Sequence, residues 1–251
     1  MNPLFLVGGA GVLAGAMNAL AGGGTFVTLP ALIAAGVPSV QANTSSTVAL
    51  FPSQVFNAWI YREGLKPFGG VSLRAFTVVT LIGGAVGAVL LLKTPTQSFD
   101  VALPWLMLSA TLALAFARQM GEWLRRHLSV DPGTAIGIQG LLGVYGGYFG
   151  GAVGLMMIAV WGLLHDSDPK SMNGPRTLLV ATANTIAVII FLVAHAVYWR
   201  EASVLLASAL FGGYIGAQIG RRASSGTVRA MTLALSTCIT LVFFVKAYHR
   251  P

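Results

Sequence analysis

Charge is what this 251-residue sequence has least of: 9% of its residues are charged, against roughly 25% in ordinary soluble domains. A water-soluble globule needs a polar outer shell that this chain cannot supply, so lipid is the implied solvent. Acid is scarcest, with seven Asp and Glu in all. A proton relay along carboxylates would have few members, of which Glu63, Asp166 and Asp168 stand nearest the glycine-rich breaks. The single cysteine, Cys238, excludes an intrachain disulfide and a thiolate metal site, and reads as a small core residue within an apolar run. His127, His165, His195 and His249 show no HExxH or paired spacing, and there is no Walker loop to couple ATP. No metal site and no cofactor are expected.

Apolar residues make up 55% of the chain, and the mean hydropathy is +0.78. The 31 glycines suit close helix packing in lipid or deliberate helix breaks. The net charge of +8 comes from short basic clusters between apolar runs, which are topology signals rather than a nucleic-acid-binding face. The first residues, MNPLFLVGGAG, lack the basic stretch and polar cleavage region of a signal peptide, so their apolar run is expected to remain as a membrane segment.

Ten apolar segments can be read, at 3–20, 25–36, 44–61, 71–92 and 100–118, then 134–150, 152–164, 173–198, 201–220 and 226–247. Crossing a hydrocarbon core of about 30 Å takes roughly 20 helical residues. The second and seventh segments are too short for that and read as short or re-entrant helices. The polar stretch RQMGEWLRRHLSVDPG divides the series, giving a first membrane repeat over 1–120, a cytoplasmic linker over 121–133 and a second repeat over 134–251. The fold class is an all-α integral membrane protein of two inverted repeats, about five membrane segments each.

The halves resemble each other in order. Gly11 and Gly15 align with Gly143 and Gly147, Gly24 with Gly154, Asn43 with Asn173, and Thr47 with Thr177. With ten crossings and the linker inside, eleven of the 15 basic residues are cytoplasmic and Lys93, Arg200, Lys246 and Arg250 are outside. Fusing the sixth and seventh segments into one crossing divides them 9 against 6 instead. The first arrangement agrees better with the positive-inside rule, although KAYHRP fits poorly outside. Five segments per half is an odd number, so the second half enters the membrane upside down.

The stretch SMNGPRTLLV, residues 171–180, sets a helix-breaking Asn-Gly-Pro and an arginine at the entrance to an apolar run. A helix starting near Asn173 leaves its first N–H groups without intrahelical acceptors, Pro175 suits the first turn, and Arg176 adds a planar fork of donors suited to a small oxyanion. In the first half, Asn43, Thr44, Ser45, Ser46 and Thr47 are expected to supply a matching uncharged helix start, the two ends facing each other as an anion cradle. Gly23, Gly24 and Gly154 mark the paired breaks, and Thr177 follows Arg176. Gln54, Asn57 and Asn184 stand where they could line a path, interhelical hydrogen bonding being the alternative. Ordinary capping, with Arg176 snorkelling to the cytoplasmic surface, is the competing reading of the whole set. Asn18 could satisfy backbone freed by the first break. His195, near a segment end, reads as interfacial, and His165, Asp166 and Asp168 as a solvated turn. Trp59, Tyr61, Tyr198 and Trp199 stand at segment ends, as interfacial anchors do.

ALAGGGTFVTLPALIAAGVPSVQANTSSTVALFP in the first half resembles the sulfite exporter TauE/SafE family of membrane permeases. GVYGGYFGGAVGLM, MNGPRTLLVATAN and FGGYIGAQIGRR are similar to that family's second repeat. The resemblance covers nearly the whole chain and implies an inner-membrane secondary transporter for sulfite, thiosulfate or an organosulfonate such as sulfoacetate, working by alternating access. The family pattern has a lysine where Arg176 stands, which keeps the charge and changes its shape. The expected partners are a small anionic substrate, a coupling ion (proton or sodium) and the lipid bilayer. A permease for another small organic anion, a membrane-embedded lipid-modifying enzyme and a structural subunit are the alternatives.

Overall fold

The computed structural model describes the chain except residues 1, 21, 66–69, 128–130, 152, 165–171, 221–224 and 249–251, together with the side chains of 64, 117–127, 155, 158, 159, 162–164, 220 and 225. Ten α-helices are present among the described residues. The first five are α1 (Pro3–Leu20), α2 (Thr25–Ala34), α3 (Ser39–Ile60), α4 (Leu73–Lys93) and α5 (Thr96–His127). The second five are α6 (Pro132–Phe149), α7 (Val153–Leu164), α8 (Asn173–Val193), α9 (Trp199–Gly220) and α10 (Ser225–Tyr248). A 3-10 turn, Arg62–Gly64, follows α3.

Local chemistry sets several of these boundaries. Ser72 caps α4 by accepting the Ala75 N–H, and Asp131 caps α6 by accepting the Gly133 and Thr134 N–H groups, with Pro132 at the first helical position. The short α2 and α7 have 10 and 12 residues, or about 15 and 18 Å at 1.5 Å per residue, well short of a bilayer core. Six helices among the described residues are long and apolar enough to cross a membrane: α1, α4, α5, α8, α9 and α10. Their outward faces are apolar, with Phe5 75% and Val193 76% exposed, as suits an integral membrane protein. Trp59, Tyr61, Tyr198 and Trp199 are exposed at helix ends, and Cys238, expected in the core, lies on the exposed face of α10, because lipid-facing positions are as apolar as core ones.

Two sequence boundaries move. The polar residues from Arg118 onward do not end a helix, because α5 continues to His127, so most of the stretch read as linker is helical. Polar residues mark where a helix leaves lipid, whereas only a breaker or an uncapped end terminates it. In addition, α3 starts at Ser39 behind Pro38, four residues before Asn43.

Both halves pack by one rule. α1 lies against α9 and α6 against α4, which are the same pairing under exchange of the first five helices with the last five. The contacts are backbone to backbone. A Cβ on Gly15 would sit 2.0 Å from the Ala209 carbonyl oxygen, and one on the aligned Gly147 would sit 2.0 Å from that of Gly84. Without side chains at these points the helices approach closely enough for extensive dispersion contact, which drives association where lipid removes the hydrophobic incentive.

The exchanged helices α3 and α8 pack together at the centre, flanked by α4 on one side and α9 on the other. They run antiparallel. Near the start of α3, the Thr44 hydroxyl donates to Ala196 O and the Ser45 hydroxyl accepts the Tyr198 N–H at 2.9 Å, both from the segment that leaves α8. At the other end, Gln54 and Asn57 of α3 meet Arg176 and Thr177 of α8. The core beside this pair is closed by Phe26, Leu29, Phe99, Phe149 and Phe191, all essentially inaccessible. A second cluster holds Phe76, Met157, Trp161 and Leu179.

Candidate functional site

Each short helix is preceded by a glycine turn that only a left-handed backbone can make. Gly22 and Gly23 (φ 77° and 99°) lead from α1 into α2, and Gly150 (φ 70°) leads from α6 into α7. The two turns meet the α3–α8 pair and line an open cavity of about 90 Å³. Asn18, Gly22, Gly23 and Thr25 line it from the first turn, Gln54 and Asn57 from α3, Gly150, Val153 and Gly154 from the second turn, and Arg176, Thr177 and Val180 from the start of α8. Pockets for drug-sized ligands measure roughly 300–1,000 Å³, so this space suits a small ion.

Arg176 is the cation of this cavity. Its aliphatic stem packs beside Gly154, where an added Cβ would stand 3.6 Å from Arg176 Cδ, in ordinary contact, and 3.2 Å from Val180 Cγ2. Among the described residues no carboxylate is paired with the guanidinium, whose planar fork of donors suits an oxyanion. The opening of α8 contributes further positive potential: its first N–H groups have no intrahelical acceptors, and the Met172 N-cap side chain supplies none. Thr177 donates to Asn173 O at 2.8 Å, so its hydroxyl oxygen lines the cavity as an acceptor. Asn18 Nδ2 donates to Ser53 Oγ at 2.9 Å and ties the end of α1 to α3 beside the cavity. Gln54 Oε1 is buried without a hydrogen-bond partner among the described residues.

Of the residues expected at the site from sequence, the cavity thus brings together Arg176, Thr177, Gly23, Gly154, Gln54 and Asn57. Asn173 is the first residue of α8 and half-buried, one turn from Arg176. Gly24 lies behind the wall, packed on Ala14 of α1, where a Cβ would stand 2.7 Å from the carbonyl oxygen. Asn43, Thr44, Ser45, Ser46 and Thr47 are buried in α3 and do not line the cavity.

The two helix starts therefore do not face each other, because α3 and α8 are antiparallel and each begins where the other ends. The polar run on α3 serves helix contacts instead. Asn43 Nδ2 donates to Tyr148 O at 3.0 Å, Ser46 shares a 2.5 Å hydrogen bond with Thr28, and Thr47 donates to Asn43 O at 2.9 Å. Thr47 and Thr177 make the same bond four residues back, in keeping with their alignment in the two halves. Asn184 is fully buried in α8, where its Nδ2 donates to Val180 O at 3.1 Å.

Gly22, Thr25, Gly150, Val153 and Val180 complete the lining and were not singled out from sequence as ligands. The adjacent glycines in GGYFGG were the available signal for Gly150. His165, Asp166 and Asp168 lie outside the described residues. Among those described, no three His, Cys, Asp or Glu side chains gather as a metal site.

Comparison with known proteins agrees with this architecture. The family model described as "Sulfite exporter TauE/SafE" matches residues 7–243. The chain is 26% identical over 235 residues to a "Probable membrane transporter protein" of Haemophilus influenzae, covering 92% of this chain and 90% of that protein. It is 24% identical to the Escherichia coli K12 "Probable membrane transporter protein YfcA", covering 91% and 85%. It is 27% identical to the "Probable membrane transporter protein ORF9" of a Sinorhizobium species, covering 96% and 91%. No solved structure matches.

Proposed function

The chain belongs to the sulfite exporter TauE/SafE family, and from that premise we propose that it is a secondary carrier for a small sulfur-containing oxyanion such as sulfite, thiosulfate or sulfoacetate. It is a membrane transporter, multi-pass, of the inner membrane. One observation supports the finer reading above all: Arg176, at the opening of a central helix, projects into an ion-sized cavity with no carboxylate beside it among the described residues. A topology signal would need only the cytoplasmic surface, whereas this arginine meets residues of α3 and of both glycine turns.

The antiparallel α3–α8 pair and the exchanged α1–α9 and α6–α4 contacts favour two inverted repeats, the first over 1–120 and the second over 134–251. In that arrangement the cavity sits between elements of both repeats, and rocking one repeat against the other would expose it alternately to the two sides.

The test is uptake of labelled sulfite, thiosulfate, sulfoacetate and sulfate into proteoliposomes. Taking about 1.5–3 kcal/mol for a hydrogen bond to a charged group, Arg176→Gln should weaken half-saturation about 10- to 100-fold, with Arg176→Lys in between. Unchanged flux in the Gln variant would return Arg176 to a topological role.

A further inference from the structure

The exchange that relates the two halves also relates two polar clusters on the α3–α8 pair, and only one of them carries charge. The alignment that matches Thr47 with Thr177 also matches Ser46 with Arg176 and Gln54 with Asn184. The cavity described above is built on Thr177, Gln54 and the Gly22–Gly23 turn. Its counterpart is built on Thr47, Asn184 and the Gly150 turn. Where the first has a guanidinium, the second has a serine turned away toward Thr28.

Oxygen converges at this counterpart. The point where a Cβ would stand on Gly150 lies 2.9 Å from Thr47 Oγ1, 3.5 Å from Asn184 Oδ1 and 3.7 Å from the Gly146 carbonyl oxygen. Each of these oxygens is oriented as an acceptor. The Thr47 hydroxyl hydrogen is committed to Asn43 O, and the Asn184 amide donates to Val180 O, which leaves Oδ1 buried and unpartnered among the described residues. Gly146 belongs to the last turn of α6, whose carbonyls carry the negative end of the helix dipole. Asn43 Oδ1, a second buried and unpartnered acceptor, is held at the same helix end by the bond from its amide to Tyr148 O.

We propose that this cluster binds a sodium ion that couples transport, with Thr47 Oγ1, Asn184 Oδ1 and the Gly146 carbonyl as ligands. Neutral hard oxygens at a helix C-terminal end suit an alkali cation, while calcium and magnesium sites draw on carboxylates, and none of the described ones stands in this cluster. Tight packing favours the smaller alkali ion, because Thr47 and Asn184 are 5% and 0% exposed and neither borders the Arg176 cavity. Gly150 also lines the Arg176 cavity, so the two sites are adjacent. An anion held by Arg176 would screen the cation from the guanidinium, so each ion would strengthen binding of the other, as linkage requires.

The site's role in transport rests on the carrier reading above, but cation binding can be measured without any transported anion. The experiment follows thermal unfolding of the full chain in nanodiscs in sodium, potassium or choline gluconate at equal ionic strength. Sodium should raise the melting temperature while potassium and choline do not. Thr47→Val and Asn184→Val should each raise the half-saturating sodium concentration at least about tenfold, the loss expected for one ligand. Thr47→Ser should keep the response, and Asn184→Asp, which retains the shape and adds charge, should lower that concentration. Identical melting in all three salts, or an unaltered sodium response in both Thr47→Val and Asn184→Asp, overturns the site. Labelled-anion uptake that is indifferent to sodium, together with no thermal response, removes the site and leaves the carrier. A sodium response without anion flux keeps the site and removes the carrier.

Discussion

Gly150 is a single residue on which two constraints coincide. Its φ of 70° is unfavourable for any side chain, and the space a Cβ would need is already within 2.9 Å of Thr47 Oγ1. Gly150→Ala should therefore lower stability by at least about 1 kcal/mol, read from thermal unfolding in detergent. Gly137, inside α6 with nothing within 4 Å of its Cβ position, is the control, and Gly137→Ala should leave stability unchanged or slightly raised. Asp131 carries a different kind of local information. The Thr134 hydroxyl, then the Thr134 and Gly133 N–H groups, hold its carboxyl below the usual value. A lowered folded-state pKa means that the cap stabilises above the unfolded-state pKa and ceases to do so as pH falls through the folded-state value. Asp131→Ala should thus lower the melting temperature at neutral pH and make little difference in acid strong enough to protonate the native cap.

Helices are where sequence and structure part company most instructively. The starts of α2, α7 and α8 could be read because glycine and proline act on the backbone directly, whatever surrounds them. The Asn43–Thr47 run looked like another start because Asn, Ser and Thr are capping residues. In a dry interior their hydroxyls bond back to carbonyls three or four residues earlier or to a neighbouring helix, and the helix passes through them. Likewise the polar end of α5 announced departure from lipid without announcing an end of helix. Such long-range satisfaction also joins α4, α6 and α7. Trp161 Nε1 donates to Gln139 Oε1 at 3.0 Å, and Gln139 Nε2 donates to Thr80 Oγ1 at 2.8 Å. Gln139 is buried, and Gln139→Leu removes both bonds from the interior. The expected cost is about 1–3 kcal/mol, again measurable as a fall in melting temperature.

For the molecule as a whole, Arg176, the glycine turns and Thr177 could be picked out from the chain alone, because breaks and charge are costly in lipid. Which half of α3 would face them could not, since that depends on the antiparallel setting of two helices far apart in sequence. That setting makes an orientation prediction. In a Cys238→Ser background, a cysteine introduced by Glu63→Cys should react with an impermeant thiol reagent only from the cytoplasmic side. One introduced by Arg200→Cys should react only from the opposite side. Labelling of both from one face would contradict two inverted repeats. Among the described residues, the ties from Thr44 to Ala196 and from Tyr198 to Ser45 fasten the central pair at one extremity, while the other ends on an open cavity. A pair of tongs riveted at one tip can part only at the other, so the jaws of this protein would gape first on the side where Arg176 waits.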